Sequence, residues 1–73
     1  MLTVDQQKAY VEELKELGDD ELIDAFHEAR CKRNNAEDDN KDETFLRAAI
    51  AESVMEDRFG LGKHMKRYKA RYP

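Results

Sequence analysis

Several residue types that stabilise small proteins are scarce in this sequence. It has one cysteine, one proline and no tryptophan among 73 residues. The single cysteine, Cys31, excludes an intramolecular disulfide, and with two histidines it cannot complete a structural zinc site without carboxylates or a second chain. A chain of this length buries only a small core. We therefore expect one small helical domain over residues 1–73, and self-association or a partner would add stability.

Long apolar segments are also missing. The longest uninterrupted apolar run is residues 48–51, which is far too short to cross a bilayer. The first residues, MLTVDQQK, lack the order of basic, apolar and small residues that marks a secretory signal. These features predict a cytoplasmic protein that does not contact a membrane.

Charge is abundant but unevenly distributed. Charged residues make up 41% of the chain, and the formal net charge is -4 at pH 7. All 17 acids precede Gly60, whereas five of the 13 basic residues follow it. Such segregation lets residues 60–73 attract either the acidic body of the protein or phosphate groups. This basic segment is therefore either a packed helix or a nucleic-acid-binding tail.

Apolar residues recur at helical spacing along the chain, and no alternating strand pattern competes with it. The pattern predicts an all-α fold: a small bundle of three helices at about residues 3–17, 20–34 and 42–59, with a short C-terminal helix at about 62–72. Helices 2 and 3 are expected to form an antiparallel hairpin across a polar loop at residues 34–41. Because helix 3 is apolar almost all round, we expect it to be central and covered on more than one flank.

Several residues predict where the helices begin and end. Thr3 and Gln6 have the spacing of a capping box. Gly18 is expected to end helix 1 in the left-handed conformation, with Asp19 capping helix 2, and Gly60 is expected to end helix 3. The apolar face of helix 1 is predicted to contain Val4, Tyr10, Val11, Leu14 and Leu17.

Two stretches, LGDDELIDAFHEAR and FLRAAIAESVMEDR, resemble the Sda family of small bacterial checkpoint proteins over roughly residues 17–58. In that family an antiparallel helical hairpin binds sensor histidine kinases and inhibits them. This chain departs from the family at Gly18, which stands where the family has a capping serine, and in its longer loop. The resemblance implies an inhibitor that contacts a kinase near Phe26 and Phe45.

Candidate protein-binding residues lie on helix 2 and at the start of helix 3. His27 and Cys31 are four residues apart, so they lie side by side on a partly covered flank of helix 2. Helical spacing also assigns the two phenylalanines of the family resemblance to the core. The predicted protein-binding residues are Phe26, His27, Arg30, Cys31 and Phe45.

The sequence predicts neither catalysis nor a cofactor. His27 and Cys31 could supply two metal ligands, but a third would have to come from His64, an acid or a second chain, so no metal site is predicted. The acids at residues 37–39 lie in a polar loop that would leave them solvated and ionised, and no Gly-rich phosphate loop or serine triad is present. These features favour a protein that is not an enzyme.

The C-terminal segment GLGKHMKRYKARYP combines an apolar stripe with five basic residues. Leu61, Met65, Tyr68 and Tyr72 recur at helical steps, which favours a helix packed on the body or on a partner. Basic residues interleaved with tyrosines also suit stacking on single-stranded nucleic acid. The alternative nucleic-acid-binding residues are Lys63, Lys66, Arg67, Tyr68, Lys69, Arg71 and Tyr72.

These features favour a small regulatory protein that binds and modulates or inhibits a larger protein partner through a helical surface. The partner would be a host regulatory or enzymatic protein if the chain is phage-encoded, and a homodimer is compatible with this function. The first alternative is nucleic-acid binding through the C-terminal segment. The second is imitation of nucleic acid by acids of helices 1 and 2, namely Glu12, Glu13, Glu16, Asp19, Asp20, Asp24 and Glu28.

Overall fold

The structure, a computed structural model, describes residues 2–35 and 41–73, and within these ranges it contains four α-helices and no strand. The helices are α1 (Val4–Lys15), α2 (Asp19–Asn34), α3 (Lys41–Phe59) and α4 (Lys63–Arg71). The all-α prediction is confirmed, and each predicted end differs from the observed one by at most two residues. Residues 36–40, in the predicted polar loop, lie outside the described residues.

The start of α1 is fixed by the predicted capping box. The Thr3 hydroxyl accepts a hydrogen bond from the Gln6 backbone N–H at 3.1 Å, and the Gln6 side-chain oxygen accepts one from the Thr3 N–H at 2.9 Å. These bonds satisfy two amides that the first helical turn leaves free. Val4, in contrast, does not join the apolar face of α1, because it is 65% exposed.

Gly18 does not adopt the left-handed conformation predicted for it. Its φ is -68° and its ψ is 171°, and it is the N-cap of α2. Asp19 is therefore the first helical residue and not the cap. Because glycine has no side chain to bond the free amides, the helix start is favoured by charge instead: Asp19, Asp20 and Glu21 lie at the positive end of the helix dipole.

Arg58 of α3 stabilises the end of α1. Its guanidinium donates to the backbone carbonyl of Leu17 at 2.6 Å and to that of Lys15 at 2.9 Å. A helix end leaves such carbonyls without partners inside the helix. This long-range contact therefore replaces the glycine cap that the sequence predicted.

Left-handed glycines occur instead at the junction of α3 and α4. Gly60 has a φ of 96° and Gly62 a φ of 85°. The Gly60 N–H donates to the carbonyl of Glu56 at 2.8 Å, so Gly60 ends α3 as predicted. Leu61 between the glycines is 83% exposed, so its expected place on the packed stripe of α4 is wrong, and His64 is buried instead.

The core is built around α3, which contacts each of the other three helices, as predicted for a central helix. Burying one of its large apolar side chains contributes about 1.5–3 kcal/mol. The buried cluster draws on all four helices and consists of Leu14, Leu22, Ile23, Phe26, Ala51, Val54, Met55 and Tyr68. None of the helices described for this chain combines the length and the apolar character needed to span a membrane.

Candidate functional site

α4 packs on the body through its two tyrosines. Tyr68 is buried with its ring edge-on to Phe26, the ring centroids being 5.2 Å apart. Tyr72 stacks on His27 with a centroid distance of 3.8 Å and an interplanar angle of 10°. The Tyr68 hydroxyl and His27 Nδ1 form a hydrogen bond of 2.8 Å. Both tyrosines of the basic segment therefore pack against residues of the same chain.

Asp24 of α2 is the main polar contact of α4. Arg71 donates to both carboxylate oxygens of Asp24, from Nε at 2.6 Å and from Nη2 at 2.9 Å. The Tyr72 hydroxyl donates to the same carboxylate. The hydrogen bonds from Arg71 and then Tyr72 lower the pKa of Asp24 to about 2, because they favour its charged form. The bond to Asp24 also raises the pKa of Tyr72.

Further ion pairs join the start of α2 to α3 and α4. Asp19 lies 3.6 Å from Nη1 of Arg58 and 3.8 Å from Nη1 of Arg67. Asp20 lies 3.8 Å from Nη1 of Arg71. The arginines of α4 thus neutralise acids of α2, and the basic segment packs on the acidic body.

This packing divides the residues predicted to bind nucleic acid. Tyr68 is buried, and one ring face of the half-buried Tyr72 is stacked on His27, so neither ring is free on both faces for a base. Arg67 and Arg71 pair with aspartates of α2. The remaining members are exposed, and no acid in the described ranges forms an ion pair with them: Lys63, Lys66 and Lys69.

The residues predicted to bind protein do not form one open surface either. Phe26 is 4% exposed, in agreement with its alternative assignment to the core. His27 and Arg30 are partly covered by the tyrosines of α4, with the Arg30 guanidinium 5.4 Å from a ring centroid. Cys31 is exposed and Phe45 is 49% exposed. Of the five, only these last two present much surface to solvent.

Most acids of the predicted nucleic-acid mimic are paired. The three aspartates of α2 contact arginines, Glu12 lies 3.9 Å from the Lys15 amine, and Glu28 lies 3.1 Å from the Lys32 amine. A phosphate backbone presents regularly spaced, unpaired negative charge. This pairing argues against mimicry, because only two of the acids form no ion pair with described residues: Glu13 and Glu16.

An open apolar groove lies between α1 and α3. Its volume is about 560 Å³, and we call it the α1–α3 groove. Val4 is exposed in it, whereas Val11 and Ile50 are half-buried. Sequence reasoning had placed Val4 and Val11 on the packed face of helix 1. The groove is lined by Val4, Gln7, Lys8, Val11, Glu12 and Ile50.

Between Asp42 and Asp57, the side of α3 next to this groove carries no charge. Leu46, Ala49, Ile50 and Ser53 fall within about 100° of one another around the helix at 3.6 residues per turn. Ala49 and Ser53 are exposed, and Leu46 and Ile50 are half-buried. In a chain in which 41% of residues are charged, this strip extends the apolar floor of the groove along α3.

A second cleft of about 550 Å³ lies between α1, α2 and α3. Tyr10 borders it, with the Arg47 guanidinium 5.1 Å from its ring centroid, and burial raises the pKa of Tyr10. Four of the other charges of the cleft pair with one another, since Arg47 lies 3.4 Å from Glu43 and Lys32 lies 3.1 Å from Glu28, and Glu13 is the exception. The described part of this cleft therefore presents mostly satisfied groups to a ligand.

A buried histidine lies where α3 meets α4. His64 is 3% exposed, and its Nε2 lies 3.3 Å from Glu52 Oε2 and 3.7 Å from Glu56 Oε1. Its Nδ1 lies 3.2 Å from the backbone nitrogen of Gly62 and 3.4 Å from the backbone oxygen of Gly60. One oxygen of each carboxylate and one ring nitrogen lie within 4.8 Å of one another.

Sequence reasoning missed this cluster. The sequence suggested His64 as a third metal ligand beside His27 and Cys31, whereas in the structure His64 lies next to Glu52 and Glu56. The signal available in the sequence was the spacing of four between the two glutamates, which places them on one side of a helix. The spacing alone does not show that the next helix folds back onto that side.

Comparisons with known proteins do not place the chain in a family. A scan against protein-family models, a search of the curated proteins and a search of the solved structures each find no match. A function must therefore be argued from the geometry and charge of the chain itself.

Proposed function

We propose that this protein is a non-enzymatic regulator that docks a helical segment of a larger protein in the α1–α3 groove. The observation that carries the proposal is the accessible apolar floor of the groove, formed by Val4, Val11 and Ile50. Exposed apolar patches bounded by polar residues mark interaction sites. A groove between two helices fits the apolar face of a third helix, whose residues recur at i, i+3, i+4 and i+7.

Charges at the rim give this surface an orientation. Lys8 and Glu12 both line the groove and lie one helical turn apart. Rim charges of opposite sign favour one direction of an amphipathic helix, and they affect association rate and partner choice more than affinity. The partner segment is expected to place an acid near Lys8 and a base near Glu12.

Paired substitutions test the docking surface. Val4→Lys introduces a charge in the groove, and Leu61→Lys makes the same kind of change at an exposed residue outside it. Both positions are exposed, so both variants should fold as the wild type does, which circular dichroism checks. Tagged wild type and Leu61→Lys should capture the same protein from a lysate of the source cell, and Val4→Lys should capture at least about tenfold less, since about 1.4 kcal/mol of lost binding suffices. Equal capture by Val4→Lys and the wild type contradicts the proposal.

Inhibition of a sensor histidine kinase is a narrower form of the proposal, in which α2 and α3 act as an antiparallel hairpin within a three-helix bundle. It rests on the sequence resemblance, and Phe45 is the aromatic contact that stays accessible. Purified protein should then lower kinase autophosphorylation, and Phe45→Ala should weaken that inhibition. If kinase activity stays unchanged at saturating protein, this narrower form is rejected and the groove proposal is not.

Nucleic-acid binding is a second candidate, and it is favoured by the exposed Lys63, Lys66 and Lys69. If all three contact phosphates, the logarithm of the DNA affinity should fall with the logarithm of salt concentration, with a slope of about -2.7 for duplex DNA and about -2 for single strands. Titration with single- and double-stranded DNA at two salt concentrations measures this slope. Changing the three lysines to glutamine should abolish it, and absence of binding at low salt removes this candidate.

A further inference from the structure

Two carboxylates converge on one ring nitrogen at the α3–α4 junction. Glu52 and Glu56 lie one turn apart on α3 and approach Nε2 of His64 to 3.3 Å and 3.7 Å. One N–H at Nε2 can donate a well-directed hydrogen bond to only one of these oxygens. Within the described ranges neither glutamate forms an ion pair with any other group. A cation among the three atoms would satisfy both carboxylates at once.

The backbone at the two left-handed glycines fits either tautomer of His64. When the ring proton is on Nε2, the Gly62 N–H can donate to Nδ1 over 3.2 Å. When the proton is on Nδ1, it can be donated to the Gly60 carbonyl over 3.4 Å. The second arrangement leaves the Nε2 lone pair free to bind a metal. Metal-binding histidines commonly donate their other N–H to a backbone carbonyl or a carboxylate in this way.

We propose that Glu52, Glu56 and His64 bind a divalent transition-metal cation of the Zn²⁺ class. Zinc bonds of 2.0–2.2 Å in tetrahedral geometry separate neighbouring ligand atoms by about 3.4 Å, and the observed separations from Nε2 are 3.3 Å and 3.7 Å. A nitrogen ligand with two carboxylates suits Zn²⁺ better than Mg²⁺ or Ca²⁺, which take oxygen ligands. Three protein ligands leave a coordination position for water or a group of another molecule.

The fold holds the histidine ligand in place before a metal binds. His64 lies in the first turn of α4 and is buried, so its ring has little freedom. The far end of α4 is tied to α2 through Arg71 and Asp24. Metal binding would add a direct link between α3 and α4. The site lies outside the α1–α3 groove, so this proposal and the proposed function can fail independently.

Zinc titration of the full chain tests the site. The Glu52→Gln/Glu56→Gln double variant keeps side-chain size and removes both anionic ligands. The matched control is Glu12→Gln/Glu16→Gln, which removes the same charge at the same spacing from the last turn and C-cap of α1, outside the His64 cluster. Isothermal titration of the wild type should show one site, and the melting temperature should rise with Zn²⁺ concentration.

The double variant should bind Zn²⁺ at least about 100-fold more weakly, since even changes to residues that only hydrogen-bond to the metal ligands weaken binding about 10- to 100-fold. The matched control and Cys31→Ser should stay within about threefold of the wild type, because they leave all three ligands intact. Equal zinc affinity in the wild type and the Glu52→Gln/Glu56→Gln variant would overturn the proposal, as would absence of zinc binding to the wild type at millimolar concentration.

Nitrogen NMR of His64 separates a metal site from a structural ion pair. Zn²⁺ should shift the Nε2 resonance and fix the ring proton on Nδ1, and Mg²⁺ at the same concentration should do neither. A purely structural contact predicts an unchanged ring spectrum on zinc addition, and that result overturns the proposal. The readout does not depend on the stability of any variant.

Discussion

α1 and α4 both pack on α3, but they leave different surfaces behind. α4 closes its contact with stacked tyrosines and with arginines paired to aspartates of α2. α1 leaves an open groove whose apolar floor includes the exposed Val4. The tyrosines and arginines of α4 therefore contact other residues of the same chain. The apolar side chains that line the α1–α3 groove remain accessible to another molecule.

The comparison also shows how a strongly charged helix can be held on a small core. The arginine–aspartate pairs of α4 are well exposed to solvent, and such pairs add little to stability. The burial of Tyr68 against Phe26 adds apolar area and an edge-on aromatic contact. The charges thus set where α4 lies, and the aromatic residues supply most of the attachment.

The largest expected effect is from removing the ring that anchors α4. Tyr68→Ala should lower the free energy of unfolding by about 3 kcal/mol, the low end of the range for a buried aromatic residue. Tyr10→Ala on the α1 side should lower it by less than half as much, because Tyr10 is only half-buried. Urea denaturation measures both.

If Tyr68→Ala does not fold, the free energy of unfolding can be measured on Tyr68→Phe instead. It retains the ring and removes the hydrogen bond to His27, which should lower stability by about 1 kcal/mol. If Tyr10→Ala and a folded Tyr68→Ala lower the free energy of unfolding equally, α1 and α4 are equally well packed. That result would contradict the difference between the two helices.

A smaller effect is expected at the turns that join α1 and α4 to their neighbours. Gly60→Ala should destabilise by about 1–2 kcal/mol, because alanine at φ 96° is strained. Gly18→Ala should be nearly neutral, because φ there is -68° and a new Cβ would meet only Glu21 Oε1, at 3.7 Å. Thermal unfolding of the pair checks this, and a larger loss at Gly18 would contradict it.

The smallest effect concerns acid stability of the α4 contact. The folded-state pKa of Asp24 is about 2, below the ordinary 3.8, so its contact stabilises the fold fully above about pH 4. This stability is lost as pH falls from about 4 to about 2. Asp24→Asn should flatten the stability profile in that window, whereas Asp57→Asn, an exposed acid without an ion pair to described residues, should not. An unchanged slope in Asp24→Asn would show that the contact is absent in solution.

Local features of the fold were predictable from sequence, because neighbouring residues determine them. The capping box of Thr3 and Gln6 was confirmed, and so were the all-α class and the end of α3 at Gly60. Gly18 was predicted wrongly because the end of α1 is satisfied from a distance by Arg58. No local pattern shows that contact.

Features of the surface were less predictable, because periodicity identifies an apolar face but not what covers it. Val4 and Leu61 fit apolar stripes and are nevertheless exposed, since no other described segment reaches them. Phe45 has core-like spacing and is 49% exposed, because the Arg33 guanidinium that lies over its ring covers only part of it. The cluster around His64 depends on α4 folding back along α3, which no single helix pattern encodes.

Site-specific photo-crosslinking tests the central claim, that the partner docks on the α1–α3 groove and not on the α4 side. A photoreactive amino acid replaces either Lys8, which lines the groove, or Lys66, which is exposed on α4. After irradiation of source cells, docking in the groove predicts a crosslinked partner protein from position 8 and none from position 66. A crosslink from position 66 without one from position 8 would contradict it.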